Sequence, residues 1–288
     1  MLSNACCPAL CGLTQETVRA FEETMPINYV HQLISRERNQ RANRHLGALL
    51  AFVAGAVNAG GFVMLGHFSS HITGAVSRIG IHATDGDFTM LQISLGLLFS
   101  FLFGSLCASL LISWGRQRQL HGQYAAALLL EAALLAGFGL IGDSLEKVVW
   151  LLVPMPALML CLAMGLQNAL VTKVSNAEIR TTHLTGIITD IGIELGKLLY
   201  RNNPSLNAPG IVASRPKLRI LTMLSLMFLS GSICGGLGFR SFGYQAALPL
   251  AGVLGLLALA PMADTLLSRF RGHSIATDAP ATGKHAAY

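Results

Sequence analysis

The sequence predicts an all-α polytopic membrane protein, with about six transmembrane helices plus two short re-entrant or broken helices, built as an inverted 3+3 internal repeat. Three observations lead there. Apolar residues make up 52% of the 288 and charged ones only 12%, with a mean hydropathy of +0.56, outside the usual range for a soluble domain. Six runs are long and apolar enough to cross roughly 30 Å of hydrocarbon. One polar phrase occurs twice, as "SSHITGAVSRIG" at Ser69–Gly80 and "TTHLTGIITDIG" at Thr181–Gly192.

The runs lie at Leu46–Gly66, Leu91–Trp114, Tyr124–Gly142, Val148–Val171, Ile220–Gly238 and Tyr244–Ala263, and only the third holds a charge, Glu131. The polar phrases fall between runs one and two and between runs four and five. An amphipathic stretch follows each: Ala75–Thr84 carries Arg78 and His82, and Ile187–Leu199 carries Asp190, Glu194 and Lys197. Neither could face lipid for a full crossing without exposing charge to hydrocarbon.

Charge placement bears on whether these stretches cross. If they re-enter and the N-terminus is inside, the inner segments hold Arg36, Arg38, Arg41, Arg44, Arg116, Arg118, Lys173, Arg180 and the cluster from Arg201 to Arg219. The outer segments then hold little beyond Lys147 and Arg240, beside Asp85, Asp87, Asp143 and Glu146. That is a positive-inside pattern. Crossing would move Arg116 and Arg118 outside, so re-entry fits better. The expected location is a bacterial inner membrane, multi-pass, with both termini cytoplasmic.

Four regions follow: a cytoplasmic N-terminal segment at 1–45, membrane repeats at 46–145 and 146–266, and a disordered cytoplasmic tail at 267–288. Within the first, residues 25–45 place Ile27, Val30, Leu33 and Ile34 ahead of arginines, the pattern of an interfacial helix on anionic lipid. Met25 would also make a natural start. Cys6, Cys7 and Cys11 fall in this segment, where disulfides are disfavoured.

The repeat extends upstream of the phrases, since run one ends in "GAVNA" at Gly55–Ala59 and run four in "GLQNA" at Gly165–Ala169. Each half reads span, polar phrase, span, span. An odd number of spans sets the second half upside down, a recurring sign of a transporter or channel with polar segments meeting near the midplane. An extended segment from His67 to Thr73 reaches on the order of 20 Å inward, and a helix of about ten residues returns about 15 Å.

Thr73 and Thr185 are candidate N-caps, and Gly74 and Gly186 admit close approach of backbone or ligand. Two half-helix N-termini facing one another favour an anion or a carboxylate. The candidate substrate-binding residues are therefore His71, Thr73, Gly74, His183, Thr185 and Gly186, with Asn58 and Asn168 bracing the entering backbone. Arg78 and Asp190 occupy corresponding positions and either pair across the repeat or snorkel to their own surfaces. Glu131, whose counterpart is Gly252, is either a proton-linked carboxylate or the partner of Arg78.

In "GALLAFVAGAVNAGGF", "SSHITG", "GLQNAL" and "RTTHLTGIITDIGIELG" the chain resembles the YoaK-like family of bacterial integral membrane proteins, over Leu46 to about Asp264. The resemblance implies a six-span inner-membrane protein and supplies no substrate. Relatives commonly carry Met-Thr-Gly where this chain has His71, Ile72 and then Thr73-Gly74, which points to a histidine-bearing subgroup.

Other classes find less support. Two matching histidines fall short of the three or four ligands of a firm metal site. No catalytic triad order, P-loop or dinucleotide fingerprint stands out, so no enzyme, metal or cofactor is expected. The net charge of +6 follows from topology without nucleic acid. Cys107, Cys161 and Cys234 read as small apolar fillers. Small residues at four-residue spacing, Gly96, Ser100, Gly104 and Ala108, then Gly231 and Gly235, read as close-packing faces within one chain or between copies in a homo-oligomer.

The leading functional expectation is transport of a small, anionic solute by a protein whose constant partner is the lipid bilayer. The rivals are a structural or regulatory membrane protein, its hairpins acting as internal struts, and a lipid-modifying enzyme.

Overall fold

The computed structural model describes residues 40–118, 123–145, 149–150, 153–174, 184–201 and 210–259. Seven helices come first: α1 Gln40–Leu65, α2 Ile72–Asp85, α3 Phe88–Gln117, α4 Ala125–Leu145, α5 Met155–Val174, α6 Leu184–Leu199 and α7 Arg215–Phe242. A 3-10 turn at Gly243–Ala246 leads into α8, over 247–259. The N-terminal amphipathic segment up to residue 39 and the tail from 260 lie outside the described residues.

Two boundaries differ from the apolar runs. The fourth run opens as a pair of two-residue antiparallel strands, β1 Val149–Trp150 and β2 Val153–Pro154, and is helical only from Met155. Its β-branched start suits a strand, and Pro156 sits in the first turn of α5, where its missing N–H leaves no helical bond unmade. The second run gains length at both ends, and Asp87 caps α3 by accepting from the Met90 N–H at 3.1 Å.

Runs five and six form one continuous apolar stretch, 215–259. They are nevertheless two helices. Gly243, at φ 58°, ends α7 in a conformation other residues resist. A Cβ on Gly238 would lie 3.6 Å from that of Ala246, whereas a straight helix separates residues eight apart by about 12 Å. The chain has doubled back, and α8 runs antiparallel to α4, with Gly142 against Tyr244 and Gly139 against Leu248.

Two helix pairs carry the most extensive packing, α1 with α7 and α3 with α5. A Cβ on Gly55 would land on the Phe228 carbonyl oxygen, and one on Gly231 on that of Phe52. In the second pair, Gly104 meets the Leu162 carbonyl and Gly165 that of Phe101 in the same way. Ser232 Oγ donates to the Gly55 carbonyl at 3.3 Å, and Ser105 Oγ to the Gly165 carbonyl at 2.9 Å. Each of these contacts in one pair has its counterpart in the other. The expected small-residue faces thus pack within the chain.

These contacts fix helix directions. Phe52 meets Gly231 and Ala56 meets Gly235, so α1 and α7 are parallel. Ser100 bonds the Leu158 carbonyl and Ser105 that of Gly165, so α3 and α5 are parallel. Between α1 and α5, however, Gln167 donates to Leu50 while Gly61 faces Leu160, which makes that pair antiparallel. Hence α3 opposes α1 and α7 opposes α5, and α2 and α6 each begin and end on one side. Their lengths agree: 14 and 16 residues rise about 21 and 24 Å, short of the roughly 30 Å of a hydrocarbon core. The outward faces of α3 and α7 expose Phe99, Leu102, Leu106, Leu229, Ile233 and Leu237, a surface suited to lipid.

Gly55→Leu or Gly104→Leu is expected to cost at least about 3 kcal/mol through overpacking, read as a lowered melting temperature in detergent. Gly236→Leu, which points into open space, should leave it unchanged. Single cysteines at Asp85 and Tyr200, in a background lacking native cysteines, should react with an impermeant thiol reagent from opposite faces of the membrane. Labelling from one face would overturn the assigned directions.

Candidate functional site

The first polar phrase folds back along the helix it follows. Gly66, at φ 71°, ends α1, and the Phe68 ring stacks on Phe62 at 4.5 Å between centroids. The chain then reaches Asn58, seven residues before the end of α1, which is about 10 Å in from it. Asn58 Oδ1 accepts from the Ser70 N–H at 3.1 Å and from its hydroxyl at 2.9 Å. Non-helical backbone at such depth needs protein partners, and Asn58 supplies them, as its place in the sequence suggested. Ser69 is buried beside Gly61.

α2 begins at Ile72, with His71 in the N-cap position at φ −86°, ψ 64°, and no side-chain capping bond. The expected cap, Thr73, is instead inside the first turn. The His71 ring lies over Gly74, whose missing Cβ leaves room for it, so helical geometry starts earlier than the threonine. The second phrase behaves alike: α6 begins at Leu184, which puts Thr185 inside its first turn too. Ser77 donates to the Thr73 carbonyl at 3.0 Å and Thr189 to that of Thr185 at 2.9 Å, the same bond at the same place. Thr73, Thr185 and Gly186 are exposed, Gly74 is half-buried, and His183 lies outside the described residues. Asn168 is half-buried, and its carbonyl accepts from Thr172 Oγ1 at 2.8 Å.

The two short helices are held apart. α2 rests on α3 and α6 on α7, with no extended contact between the short helices among the described residues. The charges follow their helices. Asp190 pairs with Lys217, near the start of α7, at 3.2 Å, so the cross-repeat pair with Arg78 does not form. Arg78 is half-buried, and its Nε is enclosed with no hydrogen-bond partner. It acts electrostatically on His67 and on Cys161. Cys161 is six residues into α5, about 9 Å along it. Desolvation, then the Arg78 charge, holds His67 below its usual range. Glu131 is 1% exposed, with Oε2 unpartnered, and so is not the partner of Arg78. Gln167, fully buried, also keeps an unpartnered Oε1.

One residue that the sequence showed only as a charge of the second short helix has a structural role. Glu194, only 2% exposed, accepts from Lys197 Nζ at 2.9 Å and, through its other oxygen, from the Ser214 N–H at 2.7 Å. It ties α6 to the N-cap of α7. The Glu-Lys spacing of three was visible in the sequence; Ser214, twenty positions on, was not.

The arrangement is that of a polytopic α-helical membrane protein in which two short helices dip in and return. The chain belongs to the family described as Protein of unknown function (DUF1275), whose model matches residues 46–260. It is similar to UPF0700 transmembrane protein YoaK of Bacillus subtilis (strain 168), 27% identical over 157 residues, which are 54% of this chain and 68% of that protein. No solved structure matches.

The hydrogen bond from Lys197, then that from Ser214, holds the Glu194 carboxyl below its ordinary value of 4.5. A depressed carboxylate contributes stability that is complete above its unfolded value and lost as pH falls through the folded one. Amide exchange around Ser214 is therefore expected to be slow and pH-independent in its protection above about pH 5, and to lose protection as pH drops below 4.5. Glu194→Gln should remove that pH step.

Proposed function

We propose that the protein is a transporter or channel for a small anionic solute, with the solute site at the first re-entrant hairpin and the chain's two halves acting as an inverted repeat around it. The observation that carries this reading is Arg78. A guanidinium that is half-buried among membrane-embedded helices, with an enclosed Nε and no acidic partner among the described residues, is costly unless an anion joins it. His67 and His71 belong to the same hairpin and offer imidazole donors, and the first turn of α2 adds backbone N–H groups at its N-terminus. Asn58 keeps the entering backbone in place. In the second hairpin, Thr185 and Gly186 at the start of α6 would form the matching lip, with Asn168 at the position that corresponds to Asn58. Glu131 is a buried carboxylate suited to carry a proton in step with the solute. The orientation consistent with the basic segments puts the termini on the cytoplasmic side of an inner membrane.

Uptake of small anions such as formate, acetate, nitrate and phosphate into liposomes containing the full chain tests the proposal. Flux above protein-free liposomes is expected for at least one of them, with Arg78→Gln lowering it tenfold or more and Arg78→Lys retaining part. Absence of flux for the whole panel would favour the second reading, in which the hairpins are internal struts; the Ser70–Asn58 bonds are compatible with that role.

A further inference from the structure

A groove of about 660 Å³ runs down the outside of the molecule where the C-terminal end of α6 meets the first half of α7. Its head is basic: Arg215 and Arg219 lie one turn apart on the same helix face. Below them the wall is apolar, formed by Leu218, Met223, Leu226 and Met227, with Leu198 of α6 closing one side. Arg219 to Met227 covers about 12 Å of helix, close to the roughly 15 Å of hydrocarbon in one leaflet.

The neighbouring charges are already used. Lys217 pairs with Asp190, and Lys197 with Glu194. Arg215 and Arg219 have no ion-pair partner among the described residues, and both are exposed. The corresponding start of α3 has Phe88 and Gln92 in their places, so the basic head belongs to one side of the membrane only, the side that also carries Arg201 and Lys217.

We propose that this groove is a binding site for an anionic phospholipid, its phosphate held by Arg215 and Arg219 and an acyl chain lying on Leu218, Met223, Leu226 and Met227. Charge complementarity selects this occupant. A zwitterionic lipid leaves a net positive head unmatched, and a second copy docking on the same face would bring its own arginines against these. Guanidinium groups offer the planar pair of donors that phosphate accepts, and basic residues at the cytoplasmic ends of helices are suited to anionic headgroups. The site is independent of the solute hairpin, from which it is separated by helix and by membrane side.

The test uses delipidated full chain in detergent, titrated with palmitoyl-oleoyl phosphatidylglycerol or with the phosphatidylcholine of the same chains, and read by native mass spectrometry. The wild type is expected to hold phosphatidylglycerol at one saturable site with at least fivefold preference. Arg215→Gln with Arg219→Gln should bring the preference below twofold, and Thr222→Trp, which fills the groove while sparing both arginines, should reduce occupancy. Should the double variant not elute as folded protein, Arg219→Gln alone and Thr222→Trp carry the test. Equal retention of the two lipids, unchanged binding in the variants, or full displacement of phosphatidylglycerol by inorganic phosphate would overturn the proposal. So would near-quantitative disulfide dimer from Met223→Cys in a cysteine-free background, because a second copy would then cover the groove.

Discussion

The structure rests on two places where helix backbones touch. Between helices in lipid there is no hydrophobic gain from burying one leucine against another, because lipid tails are equally apolar. Association must come from close van der Waals contact and from hydrogen bonds between helices. Gly55 and Gly231 let α1 and α7 approach until a carbonyl of each lies where a side chain would have been, and Gly104 and Gly165 do the same for α3 and α5. Ser232 and Ser105 add one bond across each seam. Because both seams are parallel and α1 opposes α5, the short helices have no choice of side: α2 and α6 must return to the face they left.

A re-entrant segment then has to be satisfied where water is scarce. Asn58 does this for the first by accepting both the N–H and the hydroxyl of Ser70. Several local features recur in the two halves, down to the hydroxyl bonds at Ser77 and Thr189. The charges do not. Arg78 corresponds to Asp190, Glu131 to Gly252, and Arg215 to Phe88. The features shared by the two halves thus lie in the packing of the helices, and the differences in the charges they carry.

This division explains what the sequence disclosed. Apolar runs and small-residue stripes are local patterns with one physical meaning in lipid, and they marked the spans and the packing faces. Asn58 stands beside the polar phrase and bonds Ser70, whereas its counterpart Asn168 has, among the described residues, only its carbonyl bonded, to Thr172. The partner of Asp190 was not legible, because choosing between Arg78 and Lys217 depends on which long helix each short one lies against. The same holds for Glu194, whose second oxygen is committed to Ser214 across a connection that no periodicity describes. The helix starts were misread for another reason: a threonine before a glycine is a good cap, but here the glycine makes room for the His71 ring and the helix begins under it.

The two hairpins thus differ in how they are anchored, and the difference separates their roles. The second is fastened to α7 through its charges, Asp190 on Lys217 and Glu194 on Ser214, so both carboxylates of α6 are consumed in holding it. The first is fastened to α1 through the neutral bonds of Asn58, which leaves Arg78 with its charge uncommitted. Arg78 meets no opposite charge among the described residues and is kept partly out of water, which is the ground on which an anion is proposed there. An anion at the first hairpin would supply that opposite charge, and an equivalent ligand at the second would have to displace an ion pair already made.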